Sequence, residues 1–143
     1  MKPTLLLALL WPALPALAIP LAPGVLSPGL YGSYGPGGDC QARPLVSLDD
    51  GGLYIVVGNK RGKVEPVDVC LSCAGGARYE GIEIWLSPQV ADTYALHFRF
   101  NAGEQAGRLE VEDPGNVSLG ANLRAVAAAS PYRRCGPPVQ PAG

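Results

Sequence analysis

The chain has 143 residues, 48% of them hydrophobic, with 11 basic and 12 acidic side chains. A net charge of −1 with no basic cluster excludes nucleic-acid or anionic-membrane binding through a cationic surface, because neutralising phosphates needs grouped Lys and Arg. Four cysteines beside a single histidine direct attention to disulfides rather than to metal or triad chemistry.

Residues 1–18 read as an address. Met1-Lys2 gives a positive start, Leu5 to Leu17 an apolar run, and Ala16-Leu17-Ala18 a small-x-small cleavage site. That is the layout of a secretory signal peptide. The run is short and broken by Pro12 and Pro15, unlike a spanning helix. No cysteine follows the Ala18–Ile19 junction, so a lipoprotein anchor is not indicated. Cleavage there leaves 125 residues, one domain's worth, and a periplasmic or secreted location is expected. Arginine outnumbers lysine, and alanine and glycine are abundant, which points to a GC-rich bacterial genome.

Residues 19–39 are rich in proline and glycine and read as a leader. Prolines fix the backbone and remove donors, so regular structure is delayed to a short strand near Gly29–Tyr34, with Tyr31 and Tyr34 as anchors. The β domain is expected over 40–135. Pro44 to Leu48 forms a strand, Asp49-Asp50-Gly51-Gly52 a hairpin turn, and Leu53 to Val57 a buried strand. Asn59-Lys60-Arg61-Gly62 turns the chain again. Lys63 to Leu71 follows, with Pro66 placing its start at an edge or bulge. Ile82, Ile84 and Leu86 alternate with Glu83, Trp85 and Ser87, and Pro88 to Asp92 reads as a turn. Tyr94, Leu96, Phe98 and Phe100 alternate with Ala95, His97 and Arg99, the pattern of a half-buried strand. Leu109 and Val111 mark one more. Leu119 to Ala129 fits a helix or a strand; Gly120 and the gain from closing a sheet favour a strand. Residues 136–143 form a proline-rich tail expected to be disordered. The whole indicates an all-β fold, a small antiparallel barrel or sandwich of seven or eight strands, stabilised by disulfides.

Cys40, Cys70, Cys73 and Cys135 make an even set in an exported chain, the signature of two disulfides, and all three pairings remain open. Cys70-Leu-Ser-Cys73 has the spacing of a redox dithiol, so a thiol–disulfide redox protein is the competing function. That chemistry favours a helix amino terminus, whereas this pair ends a strand-like run. A purely structural envelope protein is a further alternative. No catalytic residue is assigned. His97 has no nucleophile in a recognised context beside it and reads as a sheet-face histidine. Glu83, Glu110 and Glu112 read as solvated strand-face carboxylates, with Asp49, Asp50, Asp92 and Asp113 in turns. No metal site and no cofactor are expected. Asn116-Val-Ser118 is a glycosylation sequon, meaningful in a eukaryotic host.

The candidate binding residues are Gly75, Gly76, Arg78, Tyr79 and Trp85. Paired glycines free a loop to adopt unusual angles and present Arg78 and Tyr79, residue types favoured at binding surfaces. Gly-Ala-Arg-Tyr followed by a strand tryptophan resembles the bacterial periplasmic and membrane-anchored inhibitors of c-type lysozyme, small exported β-barrels. The resemblance covers residues 75–86. Gly76, Tyr79 and Trp85 fit the family motif, Gly75 replaces its serine, and Pro88-Gln89 stands where the motif has lysine-glycine. In that family the serine and lysine regions enter the lysozyme active-site cleft. The expectation is therefore an exported, non-catalytic binding module, inhibitor-like toward a cell-wall hydrolase, with a protein partner in the cell envelope.

Overall fold

The computed structural model describes residues 18–137. The expected signal peptide over 1–18, apart from Ala18, and the expected tail over 136–143, apart from Gly136 and Pro137, lie outside the described residues. Among the described residues eleven strands build one antiparallel sheet curled into a half-barrel. They are β1 (Ile19–Pro20), β2 (Gly32–Pro36), β3 (Leu45–Asp49), β4 (Gly52–Val57), β5 (Lys60–Val64) and β6 (Val67–Cys70). The chain continues through β7 (Ile84–Val90), β8 (Thr93–Tyr94), β9 (His97–Phe100), β10 (Arg108–Glu112) and β11 (Tyr132–Arg134). The spatial order is β1-β6-β7-β9-β10-β11-β2-β3-β4-β5, with β8 attached to β7. The all-β, disulfide-bonded fold expected from the sequence is the one observed.

The core fills the concave side. Val46, Leu53, Val69, Leu86, Phe98, Phe100 and Leu109 are fully buried. Tyr34 and Phe100 meet edge-on, with ring centroids 5.2 Å apart. The free edges are β1 and β5. β5 carries exposed Lys60, Arg61 and Lys63, a charge pattern that discourages pairing with another sheet.

Several expectations are corrected. The segment 19–39 is not a leader outside the domain. It supplies β1 on β6 and β2 in the middle of the sheet, and it places Leu26, Leu30 and Tyr34 in the core. The strand expected from Gly29 begins at Gly32, because Pro28–Leu30 forms a 3-10 turn capped by Ser27. Pro88 lies inside β7 opposite Val67 rather than in a turn. The final ambiguous segment is helix α1 (Ala121–Ala128), not a strand. Its alanines favour a helix, and the sheet position is taken by β11 after Pro131. Val126 pins α1 to the core, and the Tyr132 hydroxyl donates to the Val126 carbonyl at 2.7 Å.

The cysteines pair as Cys40–Cys135 and Cys70–Cys73. The first links the turn after β2 to the residue following β11, strands that are already neighbours. No helix among the described residues is long and apolar enough to cross a membrane.

Candidate functional site

β6 and β7 are joined by residues 71–83, which rise as a loop from the Cys70–Cys73 bridge. The Gly75 and Gly76 amides both donate to the Ser72 carbonyl, and Tyr79 N–H donates to the Gly76 carbonyl at 2.9 Å. Gly76 has φ of 79°, a conformation that favours glycine. Gly75 is needed for a different reason: a Cβ there would lie 2.6 Å from the Tyr79 ring. A Cβ on Gly81 would strike the Tyr79 hydroxyl and the Glu104 carboxylate. The two glycines therefore make the seat of Tyr79.

Arg78 is exposed, and among the described residues it makes no hydrogen bond or ion pair. Tyr79 is half-buried, and its hydroxyl accepts from Glu83 N–H at 2.9 Å. It acts as a strut inside the loop as well as part of its surface. Leu71 and Ile82, 47% and 44% exposed, flank the crest. The far foot of the loop is tied to the 3-10 turn at Ala102–Glu104. Ile82 N–H donates to Glu104 Oε2 at 2.7 Å, and Asn101 Nδ2 donates to the Ile82 carbonyl at 3.2 Å.

Trp85 is not on the crest. It lies on the convex face of the sheet, half-buried, its ring 5.2 Å from that of His97. Its indole N–H donates to Glu83 Oε1 at 2.8 Å. Tyr79 and Trp85 are thus joined through Glu83, and Arg78 and Gly76 stand apart above them.

Glu83 corrects the reading of solvated strand-face carboxylates: it is 4% exposed. Arg99 Nε donates to its Oε1 at 2.6 Å and Gly103 N–H to its Oε2 at 2.8 Å. Burial alone would raise its pKa, but the bonds from Arg99, Gly103 and Trp85 outweigh burial and hold it below the usual value. Arg99 also reaches Glu110 at 3.1 Å and Glu112 at 2.6 Å. These bonds keep its guanidinium charged; that to Glu83 is the strongest influence.

Two cross-strand rows run over this convex face. One holds Cys70, Trp85, Arg99 and Glu110. The other holds Asp68, Ser87, His97 and Glu112. Ser87 Oγ lies 2.7 Å from His97 Nδ1. Burial holds the imidazole below its ordinary pKa, against the opposing pull of Glu112. A buried serine beside a neutral histidine is the start of a nucleophile–base pair. Yet Ser87 is 6% exposed, Glu112 is engaged by Arg99, and no carboxylate bonds His97 among the described residues. Asp68 instead accepts from Gln89 and from the Tyr94 hydroxyl.

Sequence reasoning missed Ser87, Asp68 and Tyr94 here. Ser87 and His97 are ten positions apart and meet through the β7–β9 register. Tyr94 was expected on the core side by alternation with Phe98. Ala95 and Leu96 are both fully buried, which shifts the phase by one and turns Tyr94 to the convex face. A hollow of about 150 Å³ remains between Trp85, Tyr94, His97 and the Cys70–Cys73 bridge.

The Cys-x-x-Cys pair lacks the surroundings of a redox dithiol. Cys70 is buried at the end of β6 and Cys73 is exposed in a turn. Among the described residues no helix begins at this pair to lower a thiol pKa. No group of metal-ligating side chains forms among the described residues. The chain matches no protein-family model, no curated protein and no solved structure.

Proposed function

We propose that this protein is an exported, non-catalytic binding module whose contact surface is the crest of the 71–83 loop. The carrying observation is a loop exposed along its crest yet tied at both feet: by the Cys70–Cys73 bridge on one side and by Glu83, Asn101 and Glu104 on the other. Such a segment loses little conformational freedom on binding. Arg78 offers a charge-assisted bond to a carboxylate between the apolar contacts of Leu71 and Ile82. The signal-like sequence of residues 1–18 and the two disulfides support an oxidising compartment outside the cytoplasm. The partner that suits this crest is a protein with a carboxylate in an apolar cleft. A glycoside hydrolase of the cell wall, with its pair of catalytic carboxylates, has that chemistry, in keeping with the lysozyme-inhibitor resemblance.

Micromolar purified protein is expected to slow cell-wall lysis by c-type lysozyme, and Arg78→Ala to weaken that effect by about tenfold. No slowing would reject the hydrolase as partner. Capture from periplasmic extract tests the broader reading. If wild type and a Leu71→Ser, Arg78→Ala double variant retain the same proteins, the crest is not the contact surface.

A further inference from the structure

A second hollow, of about 430 Å³, opens where the foot of the 71–83 loop, the β9–β10 loop and the 3-10 turn before β2 come together. Leu30, Ile82, Ile84 and Ala106 give it apolar walls, and among the described residues Arg134 is the one charged residue lining it. Arg134 Nη1 donates to the Gly29 carbonyl at 2.6 Å. Its Nε–H is buried without an acceptor among the described residues. No carboxylate lies within ion-pair distance of it among the described residues. The other arginines buried to this degree, Arg99 and Arg108, each hold a glutamate. Asn101, on the same wall, is committed to the backbone through Ile82 and Gly107. A planar guanidinium carries five donors that match a carboxylate two at a time; the sealed Nε–H is out of reach from the hollow, so a carboxylate there would meet the Nη groups. An apolar cavity of this size with one convergent charged group has the make-up of a small-molecule site.

We propose that this hollow binds a free monocarboxylic acid with an apolar chain. The carboxylate pairs with Arg134, and the chain lies against Leu30, Ile82 and Ile84. The site shares Ile82 with the flank of the loop but none of its crest. Arg78 takes no part in it.

Titration calorimetry of the oxidised full chain with decanoate tests this. Saturable binding is expected, weakened about tenfold or more in Arg134→Gln, with no saturable binding of decyltrimethylammonium at the same concentrations. Ala106→Trp, at an exposed wall position, should fill the hollow and weaken decanoate by a similar factor without touching the core. If Arg134→Gln does not fold, the Ala106→Trp variant decides. Absence of decanoate binding up to millimolar ligand overturns the proposal. So does equal binding of the cationic chain, or unchanged decanoate affinity in a folded variant at either position.

Discussion

Glu83 joins groups the chain keeps apart: Tyr79 from the loop, Trp85 from β7, Arg99 from β9 and Gly103 from the next connection. A carboxylate this buried is retained because its oxygens are bonded and its charge is matched. Glu83→Gln keeps the shape but removes the charge opposite Arg99. Glu110 and Glu112 still face that guanidinium, so the expected cost is about 2 kcal/mol, below the usual range for breaking a buried pair. Urea unfolding at neutral pH measures it. The acid side gives a second reading of the same variant. Because the folded pKa lies below the ordinary 4.5, this stabilisation is complete above that pH and is lost as pH falls through the folded value. The stability-versus-pH slope below 4.5 should therefore be shallower in Glu83→Gln than in wild type.

The 71–83 connection holds its shape through contacts a glycine permits. Tyr79 sits where Gly75 and Gly81 leave room, and its hydroxyl anchors the start of β7. Gly81→Ala should drive Tyr79 from its seat while leaving the sheet intact, at a cost of about 1–3 kcal/mol typical of overpacking. Tryptic cleavage after Arg78, followed by mass spectrometry, reads the loosening directly. Faster cleavage with an unchanged β-sheet circular dichroism spectrum is expected, and an unchanged rate would mean that Tyr79 does not brace the loop. Two other elements show how local pattern is overridden. The doubled burial of Ala95 and Leu96 turns Tyr94 outward, and the place expected for Leu119–Ala129 in the sheet goes to β11.

At the scale of the molecule, β2 and β11 close the middle of a sheet whose other strands are mostly hairpin neighbours. Their meeting is long-range, and Cys40–Cys135 spans a sequence separation of 95 to reinforce it. In the chain-entropy account this bridge contributes about 4–5 kcal/mol, against about 2 for the separation of 3 at Cys70–Cys73. Replacing Cys40 and Cys135 by serine should lower the urea midpoint clearly more than replacing Cys70 and Cys73. The second pair of substitutions should instead act on the loop, raising the rate of cleavage after Arg78. Equal losses of stability from the two double variants would contradict that division.

The residues by themselves determined the antiparallel β class, the presence of two disulfides though not which cysteines join, and the positions of most strands. Alternation and turn residues act over a few neighbours, so they can be read locally. The same local signals put Gly75, Gly76 and Arg78 in a loop before Trp85. They could not show that Glu83 is buried, that Ser87 meets His97, or that Arg134 faces an apolar hollow without a carboxylate. Those facts depend on which strands lie side by side and in what register, and sequence separation hides both. Only the curled sheet, with Gly32–Pro36 drawn into its middle and Ile19–Pro20 added at its edge, brought these side chains together.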